Sequence, residues 1–202
     1  VPAPPLDDPP ALGERAPPAA PAEPSLPRPL GSWHGDALLL DTLAGEVQRQ
    51  RLLTLRGPGG VGKTRLALEL LHRLAAAQDP FDVLRFVPCV LVQDLPTLQQ
   101  RLLLALRLPS GPLDAQQQCA RALAGRRALL VLDNADTLDD QARQWLLQCL
   151  ERMPGLHLLF TSRRVLDLPG ECHRPVPTLA LPEADAPWQQ LGRNPAVRLF
   201  VE

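Results

Sequence analysis

The segment Gly57-Pro58-Gly59-Gly60-Val61-Gly62-Lys63-Thr64 restricts the folds open to this chain more than any other. It fits G-x-x-x-x-G-K-[ST] at every fixed position. Before it stands the apolar run Leu52-Leu53-Thr54-Leu55, and after it Leu66, Leu70, Leu71 and Leu74 recur at helical spacing. Strand, glycine-rich loop and helix in that order belong to a layered α/β domain. In a chain of this composition such a match would arise by chance on the order of 0.0002 times. Lys63 is also the only lysine; every other basic side chain is arginine. A compact ammonium suits a phosphate cradle where a planar guanidinium fork does not. The segment predicts a site for a nucleoside triphosphate.

The loop's glycines let the main chain approach phosphate oxygens or take conformations a side chain forbids. Its amides and the start of the following helix supply converging donors. The predicted nucleotide-binding set is Gly57, Pro58, Gly59, Gly60, Val61, Gly62, Lys63, Thr64 and Arg65. Lys63 is expected to reach the β- and γ-phosphates, and Thr64 to place its hydroxyl on Mg2+.

Periodicity lays out the remainder. Helices are expected over 36–50, 63–77, 95–107, 114–124, 139–152 and 194–202, with Leu39, Leu43 and Val47 on the inner face of the first. Strands are expected over 52–56, 84–92, 128–133 and 156–161, with a weak one over 174–177. Pro109-Ser110-Gly111-Pro112 reads as a turn. The continuous apolar run Ala128-Leu129-Leu130-Val131-Leu132 suits a parallel strand covered on both faces. The expected architecture is α/β: an open, mostly parallel sheet flanked by helices, with its ligand at the carboxyl ends of the strands.

Residues 1–29 hold 11 of the chain's 24 prolines, so they read as a solvated linker ahead of a nucleotide-binding domain over 30–202. A Pro-rich ligand for a partner domain is the other reading, but no aromatic or basic anchor accompanies the prolines. A net charge of −1 argues against a nucleic-acid-binding field on this segment. Cys89, Cys119, Cys149 and Cys172 form no C-x-x-C pair and read as free thiols of a reducing compartment. No apolar run reaches membrane-spanning length, so a cytoplasmic chain with no membrane partner is expected.

Asp133 ends an apolar strand, where a carboxylate can hold Mg2+. Its neighbour Asn134 cannot accept a proton, so fast hydrolysis is not expected. Asp136 is the next acid, either a water-orienting or base residue or a cap for the following helix. Thr161-Ser162-Arg163-Arg164 closes another strand; Arg163 is the candidate γ-phosphate sensor, and a solvated arginine pair is the plainer alternative. Arg126-Arg127 precede a strand at the opposite edge and read as surface charge. His34 lies where the chain could close over a base. A guanine-reading N-K-x-D element needs a second lysine, so adenine is favoured by exclusion.

With these residues in place, the chain resembles the STAND class of P-loop ATPases over residues 30–202. Within it, the similarity is to the NB-ARC-like domain of large bacterial transcriptional regulators of the antibiotic-regulatory (SARP/LuxR-like) kind. Leu53 to Ala67 looks like the first motif, Leu129 to Asp136 the second, and Leu159 to Arg163 the arginine sensor strand. Leu168 to Glu171, Val176 to Pro182 and Pro195 to Phe200 resemble the segment leading to a helical lid, with lid and winged helix expected beyond residue 202. Leu30-Gly-Ser-Trp-His-Gly-Asp36 is a degenerate form of the usual opening motif. The resemblance implies an ATP/ADP switch with slow Mg2+-dependent hydrolysis in which Lys63, Asp133, Asp136 and Arg163 act. It further implies self-association of the full-length protein in the ATP state and DNA contact only through other domains. An AAA-type motor with turnover activity and a structural nucleotide scaffold are the alternatives.

Overall fold

The computed structural model describes residues 26–28, 31–33, 35–77, 80–109, 114–179, 182 and 194–201. His34, most of the Pro-rich stretch 1–29 and residues 110–112 of the expected turn lie outside them. Five strands form the sheet: β1 Leu52–Arg56, β2 Val83–Pro88, β3 Ala128–Asp133, β4 Leu156–Ser162 and β5 Cys172–Pro175. All pair in parallel, in the order β2-β3-β4-β1-β5. Parallel neighbours require crossovers: α2 Lys63–Ala76 leads from β1 to β2, α3 Leu95–Ala105 and α4 Ala115–Ala122 from β2 to β3, and α5 Asp140–Arg152 from β3 to β4, while α1 Ala37–Arg49 precedes β1 and α6 Pro195–Val201 follows β5.

Alternation along the strands divides the core in two. Ala128, Leu130 and Leu132 of β3, with Leu156, Leu158 and Phe160 of β4, join the cluster built with α3, α4 and α5. Leu129, Val131 and Leu159, with Leu53 and Leu55 of β1, join the cluster built with α1 and α2. Both faces of β3 and β4 are thus covered, and neither strand has an exposed position. This is why their sequences are nearly continuous apolar runs. Removing the fully buried Phe160 ring would cost about 3–5 kcal/mol.

The helices follow their periodicity. Leu66, Leu70, Leu71 and Leu74 of α2 are all buried against the sheet. In α1 the inner row is Leu40, Leu43 and Val47; Leu39, expected there, is half-buried one position round the helix. The strand expected over 84–92 stops at Pro88, because Val92 N closes a turn on Cys89 O at 3.0 Å and Leu91 takes a left-handed φ of 66°. The weak strand expected at 174–177 lies two residues earlier, pairing with β1 from Leu53↔Cys172 to Arg56↔Pro175. Arg51 donates to the Leu150, Met153 and Leu156 carbonyls and so caps the carboxyl end of α5.

Candidate functional site

Register and alternation bring the site together. β4 lies between β1 and β3, so the loop leaving β1 and the turn leaving β3 flank its carboxyl end. Leu132 pairs with Phe160, which puts Asp133 level with Thr161. Both share strand parity with Leu129, Val131 and Leu159, so they project to the α2 side of the sheet. Thr64, at the start of α2, meets them there. Its Oγ1 donates to Asp133 Oδ1 at 2.7 Å, and Thr161 Oγ1 donates to the same oxygen at 2.6 Å. The Asn134 amide in turn donates to Thr161 Oγ1 at 2.9 Å. Asn134 itself has φ 64°, a left-handed turn that asparagine tolerates better than most residues.

The loop 57–62 is shaped by main-chain constraint. Gly60 and Gly62 have φ of 79° and 94°, which a side chain would strain. At Gly57 a Cβ would meet Val61 Cγ1 at 3.0 Å and the Val176 carbonyl at 3.3 Å. Gly57 N is anchored to Ser162 O at 3.2 Å, while Val61 packs into the core below. Pro58, Gly59 and Gly60 stay exposed, and a Cβ at Gly59 would meet nothing within 4 Å. Lys63 is 8% exposed; its Nζ donates back to Gly57 O at 2.8 Å and Pro58 O at 2.9 Å.

Helix α2 also differs from its neighbours at its amino end. The amino ends of α1, α3, α4, α5 and α6 are capped by the side chains of Asp36, Asp94, Asp114, Asp139 and Asn194. The residue preceding α2 is Gly62, with no side-chain cap. The first-turn amides of α2 are the donors an anion would satisfy. They open on a cleft of about 460 Å³ whose walls include Gly59, Gly60, Lys63, Thr64 and Arg65 on one side and Asn134 and Arg163 on the other. Arg65 is held by Glu69 at 2.9 Å and by the Gly31 carbonyl at 2.7 Å, linking the cleft to the segment ahead of α1.

Asp136 does not cap the following helix, as one sequence reading allowed; Asp139 does, accepting from Ala142 N at 2.7 Å. The Asp136 carboxylate turns to the end of β4 instead. Oδ1 accepts the Arg163 amide at 2.7 Å and lies 3.0 Å from Ser162 Oγ, and Oδ2 stands 3.5 Å from Arg163 Nε. Burial pushes this carboxyl up, but the bonds from Arg163 and Ser162 and the Arg163 charge outweigh it and hold its pKa below the ordinary aspartate value. A carboxylate so held is a weak proton acceptor. Arg164 is exposed and donates to the Asp136 carbonyl at 2.7 Å. Arg127, expected as surface charge, is instead half-buried, 5.1 Å above the Phe81 ring.

The structure therefore gathers Lys63, Thr64, Arg65, Asn134 and Arg163 around one cleft, with Asp133 and Asp136 behind it. Sequence reasoning missed the bracing role of Thr161. Its one signal in the sequence was a hydroxyl residue directly after the apolar run that ends at Phe160. The Thr64 hydroxyl and the Asp133 carboxylate converge on one point, a hard-oxygen pair that fits Mg2+. Among the described residues no helix is long and apolar enough to cross a membrane.

Comparison with known proteins places the chain in a family. The NB-ARC domain family matches residues 37–186, and the chain belongs to that family. Over 136 residues it is 34% identical to a Mycobacterium tuberculosis protein named "Putative HTH-type transcriptional regulator", a match covering 67% of this chain and 15% of that protein. An uncharacterized protein of the same species is 33% identical over 178 residues, covering 87% of this chain and 42% of its own length. The chain thus spans less than half of either relative. Among solved structures, the Aeropyrum pernix ORC1 protein in complex with DNA shares the fold, with a TM-score of 0.55 over 70% of this chain and 44% of that one at 19% identity.

Proposed function

We propose that this member of the NB-ARC family is an ATP/ADP-binding switch that hydrolyses ATP slowly. The observation that carries the reading is the carboxyl end of β3. Asp133 is bound to Thr64, Asn134 beside it takes no proton, and Asp136 is already committed to Ser162 and Arg163. The site can hold a triphosphate and its cation without an efficient base to activate water.

In this reading the loop amides and the first turn of α2 bind the phosphates, and Lys63 exchanges its own loop carbonyls for phosphate oxygens. Thr64 and Asp133 would hold Mg2+, and Arg163 would face the γ-phosphate from the other wall of the cleft. When bound, Mg2+ neutralises charge on the β- and γ-phosphate oxygens. Relatives named as HTH-type transcriptional regulators support placing this switch in such a regulator. DNA would then be contacted by parts outside these 202 residues, and the ATP state would favour self-association.

The test is to load the chain with Mg-ATP and follow one turnover together with nucleotide retention through gel filtration. A single slow turnover with ADP retained is expected. Rapid multiple turnover would defeat the switch, and identical thermal stability with and without Mg-nucleotide would defeat binding itself.

A further inference from the structure

We propose that Asp136 is a positioning residue for Arg163 and that, through it, the acid sets the preference of the site for nucleoside triphosphate over diphosphate. The inference rests on the proposed function, in which Arg163 faces the γ-phosphate. What it adds is the identity of the group that aims the guanidinium.

The two oxygens of Asp136 do different jobs. Oδ1 accepts the Arg163 amide at 2.7 Å with Ser162 Oγ at 3.0 Å, which fixes the main chain at the end of β4. Oδ2 is buried and has no hydrogen-bond partner, yet it stands 3.5 Å from Arg163 Nε. The closest approach is therefore through Nε. A guanidinium held at Nε keeps its Nη edge for a second anion, and that edge is the one that forks onto phosphate. The Asp136 side chain is 9% exposed, whereas that of Arg163 is 63% exposed and lines the cleft opposite Lys63 and Thr64. A buried anion thus sits behind an exposed cation that lines the cleft.

The arrangement also separates this role from base catalysis. Oδ1 is taken by the Arg163 amide and the Ser162 hydroxyl, and Oδ2 faces the Arg163 guanidinium. Arg164 Nη2 donates to the Asp136 carbonyl at 2.7 Å, so the turn that carries the acid is pinned from the same strand end. A triphosphate, which reaches the Nη edge, gains from the positioned guanidinium. A diphosphate, which stops short of it, does not.

The test compares Asp136→Asn, Arg163→Gln and the double variant by titration calorimetry with Mg-ADP and a non-hydrolysable Mg-ATP analogue. Asparagine keeps an oxygen for the Arg163 amide and the Ser162 hydroxyl, and it sets an NH2 donor where Oδ2 met the guanidinium. Asp136→Asn is expected to lower the triphosphate-over-diphosphate affinity ratio about tenfold with ADP affinity unchanged. The double variant should be no lower than Arg163→Gln alone. Should Asp136→Asn not fold, Asp136→Glu, which keeps the charge and shifts the grip by one methylene, must lower the ratio as well. The inference is overturned if the ratio holds in the Asp136 variants while Arg163→Gln lowers it, if both nucleotides weaken together, or if the double variant is additive. Loss of hydrolysis with the ratio intact would make Asp136 a base after all. A ratio unmoved by Arg163→Gln would instead strike the reading of Arg163 itself and take this inference with it.

Discussion

Thr161 Oγ1 stands 2.6 Å from Asp133 Oδ1, the same oxygen that takes the Thr64 hydroxyl at 2.7 Å. One carboxylate oxygen is held from β4 and from α2 together, so three distant segments agree on its position. Thr161→Val keeps the side-chain shape but removes the hydroxyl, leaving the Asn134 amide without its acceptor. The expected cost is about 1–3 kcal/mol, read as a lower urea midpoint. The Mg2+-dependent part of nucleotide affinity should fall as well; a variant matching the parent in both would show that the brace has no energetic role.

Lys63→Ala is expected to weaken nucleotide binding without abolishing it. A charge-assisted hydrogen bond contributes about 1.5–3 kcal/mol, so the loss should be roughly ten- to a hundredfold in Kd. The amide donors of the loop and of α2 survive the change, and the truncation frees the Gly57 and Pro58 carbonyls that Nζ occupied. Titration calorimetry at fixed Mg2+ measures this; undiminished affinity would remove Lys63 from the site.

His157 is expected to make the fold less stable in mild acid. It is 5% exposed, with Nδ1 2.8 Å from the Val47 carbonyl and its ring edge-on to Phe81. Burial lowers its pKa from the ordinary 6.5; contacts with the Gln50 and Val47 main chain oppose that, and the charges of Arg127 and Arg51 reinforce it. The unfolded chain therefore takes up this proton at higher pH than the folded one. Stability from neutral His157 is full above about pH 6.5 and is lost as pH falls toward the folded pKa. Urea midpoints at pH 7.5 and 5.5 should show the decline. His157→Gln, which keeps a donor for Val47 and does not titrate there, should flatten it.

Thiol chemistry should be confined to one cysteine. Burial first of all pushes Cys89 and Cys149 up to about 12 and Cys119 up to about 11, while Cys172 is only half-buried on the edge strand β5. The thiolate is the reactive form. Native maleimide labelling followed by mass spectrometry is expected to modify Cys172 alone, with all four labelled in denaturant. Rapid native labelling of Cys119 or Cys149 would mean that the α4–α5 layer opens readily.

What could be read in advance follows from the range of the interactions. β1, β3 and the start of α2 were legible because each is declared locally, by an apolar run or a glycine-rich loop. The place of β4 between β1 and β3 was not, since strand order depends on crossovers and not on any single stretch. The partners of Asp136 escaped for the same reason: Ser162 and Arg163 are neighbours only once β4 has been laid beside β3. A helix cap was one of the two readings open for Asp136 because a cap is a local device, and Asp139, three residues on, fills that role. The end of β2 was misjudged because Cys89-Val90-Leu91-Val92 has strand composition while the chain turns there at Leu91.

Both outer strands of the sheet finish on proline, β2 at Pro88 and β5 at Pro175. A strand arriving from another molecule would find no amide to bond at either position. Copies of the chain meeting at high concentration are thereby discouraged from pairing through these two rims.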